Sequence, residues 1–146
     1  MSLQKYQQQP TGRLLLWAFR RFEQQLMKGL HQCGFTDALP SHLNVLRHLN
    51  PEGMRLVELA RDASISKQAL GKMVGDLAGL GYVVVVNDPV DRRAKIINYT
   101  DKGNSLIQSA IAEVSKIETQ YIALLGEERY EVLRTLLTEL IEQIEE

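Results

Sequence analysis

The chain has 146 residues and a single cysteine, enough for one domain with helical appendages and too few thiols for a disulfide framework. Hydrophobic content of 45% and charged content of 24% are ordinary for a soluble globular protein, and neither a bilayer-spanning run of ~20 apolar residues nor a signal-peptide core is present, so a cytoplasmic protein without membrane contact is expected. The net charge of −1 hides a gradient, from +3 over residues 1–54 and +2 over residues 55–102 to −6 over residues 103–146.

Residues 1–10 are polar and Gln-rich and read as an arm. From Thr11 to Gln32 the apolar residues Leu14, Leu15, Ala18, Phe19, Phe22, Leu26 and Leu30 recur at helical spacing, and Gly34 suits a C-terminal cap. A shorter helix is expected over Leu39 to Leu49, with Pro40 in its first turn and Asn50-Pro-Glu-Gly53 ending it. Arg55 to Asp62 reads as a third helix, and Ala63-Ser-Ile65 as a tight connection. Ser66 is placed to cap a fourth helix whose buried stripe is Leu70, Met73, Val74, Leu77 and Leu80, leaving Lys67, Gln68, Gly71, Lys72, Gly75 and Asp76 outward. Tyr82 to Asn87 and Lys95 to Tyr99 form a hairpin around the charged turn Asp88 to Arg93. Thr100 caps a long helix to Leu125, Gly126 breaks it, and Glu127 to Glu145 is a last helix with Tyr130, Leu133, Leu136, Leu137, Leu140, Ile141 and Ile144 on its apolar side.

Helix, tight turn, capped helix, strand, charged turn, strand is the order of a winged helix-turn-helix. The fold class expected is mostly α (α+β), with about six helices and a β-hairpin wing. Residues 1–36 form an N-terminal arm and helix, residues 37–100 the winged lobe, and residues 101–146 two C-terminal helices. A helix fits the major groove of DNA, and its first turns reach base edges. Ser66, Lys67, Gln68 and Lys72 are the candidates there: Gln68 for an adenine edge, Lys67 for guanine or phosphate, Ser66 for either. An amphipathic surface helix with an ordinary cap accounts for them equally. Gly71 and Gly75 each cost up to about 1 kcal/mol inside a helix, which suggests close approach to a partner or to a neighbouring helix. Arg92, Arg93 and Lys95 cluster at the hairpin tip, suited to a minor groove or phosphates, with Asp91 holding an arginine or loop amides.

Leu56-Val-Glu-Leu-Ala60, Ile65-Ser-Lys-Gln68, Leu77 to Tyr82, Asp88 to Lys95 and Tyr99-Thr-Asp-Lys-Gly103 follow one another over about 50 residues. In this order and spacing they resemble the MarR family of transcriptional regulators, and the long flanking helices resemble that family's dimerisation helices. The resemblance implies a homodimer on a pseudo-palindromic operator in double-stranded DNA. Recognition helices would enter successive major grooves and wings the flanking minor grooves, with Arg93, supported by Asp91, the leading wing contact. It also implies repression relieved by a small aromatic ligand or by thiol oxidation.

Other residues carry less. Trp17, Arg20 and His42 are the candidate effector contacts, and Phe19, Tyr121 and Tyr130 are further aromatics whose spacing fits a plain core as well. Cys33 stands at the end of the first long helix, without the earlier cysteine position and tyrosines of the family's peroxide sensors, and reads as structural or incidental. His31, His42 and His48 lack the spacing of a metal set, and no catalytic constellation or cofactor motif is present, so neither an enzyme nor a metal or cofactor is expected. The alternative function is a winged-helix protein-interaction module that does not bind DNA.

Overall fold

The structure, a computed structural model, describes residues 3–144; Met1, Ser2, Glu145 and Glu146, which belong to the expected arm and last helix, lie outside the described residues. The arm contains one short helix, α1 (Gln4–Gln7), where only irregular chain was expected. Pro10 then leads into α2 (Thr11–Gln32), and Gly34, at φ +100°, turns the chain away after it. α3 (Pro40–Leu46) starts on its proline and ends three residues short of the expected Leu49. A tighter turn replaces its last residues, with the Leu49 amide donating to the Leu46 carbonyl at 3.1 Å.

Gly53, at φ +88°, sends the chain into β1 (Met54–Arg55), a strand where the sequence suggested the start of a helix. Two residues are too few to show a strand's alternation; pairing of Met54 with Ile97 and Arg55 with Ile96 makes the strand. α4 (Leu56–Asp62) and α5 (Lys67–Gly79) follow, then β2 (Val83–Asn87) and β3 (Lys95–Tyr99). The three antiparallel strands run in the order β1-β3-β2, with Val83 opposite Tyr99 and Asn87 opposite Lys95. α6 (Asp101–Leu125) packs along α2, and Gly126, at φ +82°, folds α7 (Glu127–Ile144) back onto α6.

The core lies where the last turns of α2 meet the lobe. Leu30, Leu46, Leu59, Leu70, Leu77, Tyr82, Ile97 and Leu106 are all but inaccessible to solvent. Each such aliphatic side chain contributes about 1.5–3 kcal/mol. The Tyr99 hydroxyl donates to the Leu46 carbonyl at 2.7 Å and also lies 3.3 Å from that of Leu49, tying β3 to the end of α3. Burial pushes this phenol up to about 12.

The apolar stripes of the long helices reach beyond this core. On α2 only Leu26, Met27, Gly29 and Leu30 are buried; Leu14, Leu15 and Phe19 are exposed. On α7 only Tyr130 is buried, although the whole stripe reads as an inner face; Leu133, Leu136, Leu140, Ile141 and Ile144 lie at the surface. The periodicity marks a face that excludes water, and nothing among the described residues covers it.

Backbone contact sets the start of α6. A Cβ on Gly103 would lie 2.0 Å from the Tyr82 carbonyl oxygen, a main-chain atom that cannot swing aside, and 3.1 Å from the Tyr99 ring. Gly103→Ala is therefore expected to destabilise the protein by at least about 1–3 kcal/mol in denaturant titration, while Asn104→Ala, on the exposed side of the same turn, stays within roughly 0.5 kcal/mol.

Candidate nucleic-acid interface

The turn between α4 and α5 is closed by backbone bonds. The Ala63 amide donates to Leu59, Ser64 to Arg61 and Ile65 to Ala60, and Ser64 takes φ 53° to reverse the chain. Ser66 then caps α5, its Oγ accepting from the Ala69 amide at 3.2 Å. The candidate DNA contact is thus committed on its acceptor side and retains its O–H as a donor. Leu70, Val74 and Leu77 face inward, while Lys67, Gln68, Gly71, Lys72, Gly75 and Asp76 all face solvent.

The helix glycines can be read more sharply. A Cβ on Gly71, Gly75 or Gly79 would meet nothing within 4 Å. Packing against a neighbouring helix of the same chain therefore does not explain them. They form a bare strip along the outer side of α5, beside Lys67 and Lys72.

The wing is braced from within. Asp88 is 5% exposed, and its two oxygens have separate partners. Oδ1 accepts from the Val90 amide at 2.8 Å, and Oδ2 takes the Arg55 guanidinium at 2.5 Å. The Val90 amide, and after it Arg55, hold the Asp88 carboxyl below the usual carboxylate range against the opposing effect of burial. Asp91 Oδ1 accepts from the Arg93 amide at 3.1 Å, so Asp91 shapes the loop through the backbone. Lys95 donates to Asn87 Oδ1 at 2.8 Å across the hairpin. Among the described residues no ion pair involves Lys67, Lys72, Arg92, Arg93 or Lys95, and all five are exposed. Both wing acids serve the loop and leave the arginines un-neutralised.

Sequence reasoning missed Arg55 and the bracing role of Asp88. Asp88 opens the wing motif, but its partner lies 33 positions earlier, in a segment read as a helix start.

The expected effector trio does not come together. Trp17 and Arg20 line a shallow cleft of about 280 Å³ with Lys5, Tyr6, Arg21 and Gln24. Tyr6 meets Trp17 edge-on at 5.6 Å, and Arg13 sits 5.9 Å from the Trp17 ring. His42 is elsewhere, 5% exposed, and its Nδ1 accepts from the Leu39 amide at 3.1 Å. Its ring closes the first turn of α3 through this local bond. A larger cleft of about 580 Å³ opens between α2, α3 and α6, lined by Phe22, Leu26, Leu43, Arg47, Ile107 and Val114 among others. Cys33 is exposed, 3.9 Å from Glu113. No group of three or more His, Cys, Asp or Glu among the described residues is arranged to hold a metal, and no described helix is long and apolar enough to cross a membrane.

Fold and site define a winged helix-turn-helix flanked by long helices. A sequence model of the MarR family matches residues 34–94, which spans α3, β1, α4, α5, β2 and the wing tip. Among solved structures, the chain is similar to the transcriptional repressor CouR bound to a 23-mer DNA duplex (28% identity, 89% of this chain and 94% of that one, TM-score 0.65). It is also similar to the transcriptional regulator Tm0710 from Thermotoga maritima (25% identity, 94% and 96%, TM-score 0.63). Wild-type MarR from E. coli in its apo form shares the fold (21% identity, 90% and 97%, TM-score 0.70). A search of curated proteins gave no match. Over residues 34–94 the chain is thus similar to the MarR family, and its fold is that of solved MarR-type regulators.

The Asp88 brace has a measurable signature. Asp88→Asn removes its ion pair with Arg55, and the Val90 amide should exchange with solvent at least about tenfold faster while the thermal midpoint of the domain holds. In the unsubstituted protein the carboxylate is depressed in the folded state. Its contribution is therefore present above the unfolded value near 3.8 and lost as the pH falls through the lower folded value. Val90 protection should persist at pH 5 and fail only in stronger acid.

Proposed function

We propose that the protein is a homodimeric, sequence-specific DNA-binding repressor whose operator is pseudo-palindromic. The observation that carries this reading is the outer side of α5. Three glycines in open space and two unpaired lysines lie there, on the helix that leads into a braced, unpaired cationic wing. A helix that gives up side chains on one side suits close approach to a groove. Lys67, Gln68 and Lys72, with Ser66 as a donor, read the major groove, and Arg92, Arg93 and Lys95 take the minor groove or its phosphates, Arg93 first. The similarity to CouR, whose structure holds a 23-mer duplex, supports this. Such a duplex is about two helical turns long, room for half-sites one turn apart.

Dimerisation rests on the uncovered apolar faces. Leu14, Leu15 and Phe19 of α2, with Tyr121, Leu125 and Leu133, line a cleft of about 1030 Å³ that a second copy would fill. Residues 1–36 and 101–146 then form the dimerisation unit, and residues 37–100 each DNA-binding lobe. Release by a small apolar or aromatic effector acts at the 580 Å³ cleft between α2, α3 and α6, since a ligand wedged there pushes the lobe away from the long helices. This cleft replaces the Trp17, Arg20 and His42 trio.

Two measurements test the reading. With a duplex obtained by in vitro selection, Arg93→Ala should weaken binding and flatten the plot of log K against log salt by about one phosphate, ~0.9 per lobe. An unchanged affinity and slope would remove Arg93 from the interface. Gly71→Ala should move stability and affinity in opposite directions. The folded protein gains up to about 1 kcal/mol from helix propensity, and operator binding falls because the new methyl stands on the bare strip. If the alanine variant is more stable and binds as tightly, α5 does not approach DNA on that side.

A further inference from the structure

Asp37 lies in the loop between α2 and α3, outside the helix-turn-helix and the wing, yet its two carboxylate oxygens join the lobe to the long helices. One accepts from the Tyr82 hydroxyl, at the start of the wing strands. The other accepts from the Lys102 ammonium at 3.0 Å, in the first turn of α6. Lys102 closes the ring: it donates to the Leu80 carbonyl at the end of α5 at 2.8 Å and stands 4.3 Å from the centre of the Tyr82 ring. Three residues thus tie together the end of the recognition helix, the root of the wing, the start of α6 and the exit from α2.

Building on the function proposed above, we propose that Asp37 is a positioning residue. It fixes the tilt of the winged lobe on the long helices and so the half-site spacing the dimer accepts. The contact is made for this and for little else. The Asp37 and Lys102 side chains are 36% and 43% exposed, so removing either leaves no cavity. Tyr82 is fully buried, and its ring packs beside Phe35 at 6.4 Å, a contact in which Asp37 takes no part. What the carboxylate adds is a second restraint, from the α2–α3 loop, on a junction that the Thr100 hydrogen bonds and the close approach of Gly103 hold only at its α6 side. The restraint has leverage. α5 is 13 residues, about 20 Å long. A tilt of about 5° moves its far end by roughly 2 Å, and opposite movements in two lobes together approach the 3.4 Å rise of one base pair. The Tyr82 hydroxyl and then Lys102 lower the Asp37 pKa, so the carboxylate is charged at neutral pH.

The test uses the selected duplex, two versions with the half-sites one base pair closer and one farther apart, and a duplex with a single half-site. Wild-type protein should prefer the selected spacing by about tenfold or more over either neighbour. Asp37→Ala and Lys102→Met should each reduce that preference to about threefold or less with single-half-site affinity unchanged, the thermal midpoint staying within about 2 °C of wild type in Lys102→Met and falling by roughly 2–8 °C in Asp37→Ala, which leaves the Tyr82 hydroxyl unpaired. An undiminished spacing preference in both variants overturns the proposal. So does a parallel loss of single-site and paired binding with a lowered midpoint, which is the signature of plain stabilisation. Wild-type protein that binds none of the duplexes overturns the functional reading itself, a result distinct from either of these.

Discussion

The junction between residues 80 and 103 sets the geometry of everything around it. The Thr100 hydroxyl donates to the Gly81 carbonyl at 2.6 Å and accepts from the Gly103 amide at 3.0 Å. The Thr100 amide donates to Tyr82 at 3.2 Å, and Gly103 lies with no room for a methyl group against the same carbonyl. The end of α5, the first residue of the wing, Thr100 just after β3 and the first turn of α6 therefore meet through main-chain groups and one short threonine side chain, which have far less freedom to adjust than long side chains. The outward face of α5 and the hairpin are consequently held as one unit relative to α6. A helix cap, usually a local device worth about 1 kcal/mol, here also fixes tertiary geometry.

Electrostatics follow from where the acids go, and their number says little. The wing carries two aspartates and two arginines within six residues, an arrangement that looks self-neutralising. It is not, because Asp88 is turned inward onto Arg55 and the Val90 amide, and Asp91 accepts from the Arg93 backbone. The guanidinium groups remain in water. The same holds over the whole chain: the excess acid lies in residues 103–146, and its described part is carried by α6 and α7. A net charge near zero is compatible with a locally cationic lobe because, at physiological salt, surface charges more than about 8 Å apart are largely screened from each other.

Features decided within a few residues were legible in the sequence. The bounds of α2 and α6 follow from long apolar periods ended by Gly34 and Gly126, and the starts of α5 and α6 from Ser66 and Thr100, whose side chains do cap them. Features decided by distant partners were not. β1 is two residues long and exists only because Ile96 and Ile97 pair with it. Arg55 was read into a helix because Asp88 is far away in sequence. His42 looks exposed and available in the sequence, and in the structure it is buried with its Nδ1 bonded to the Leu39 amide. Periodicity also announced a buried face on α7 without saying what buries it. For Gly71 and Gly75 the sequence offered two explanations, and the open space around them excludes packing within the chain. The wing, the capped helix and the bracing role of Asp91 are legible by motif, whereas the choice between an arginine and a loop amide as the partner of Asp91 needs the geometry.

The thin cationic face of α5 bears on the proposed mechanism. In that mechanism two lysines on one helix and three cations on one wing would neutralise few phosphates, so a single lobe would bind DNA weakly at physiological salt. Joining two lobes changes the problem from strength to geometry. Once the first lobe is seated, the second binds at an effective concentration set by its tether, and affinity rises by orders of magnitude without any new contact. That gain disappears if the lobes miss successive grooves. A protein built this way depends on the angle between lobe and dimer helices more than on any one base contact. The proposed effector, entering the cleft between α2, α3 and α6, would then not need to compete with DNA at all. A small tilt suffices, because it removes the cooperative part of the binding energy while each half-site contact stays as good as before.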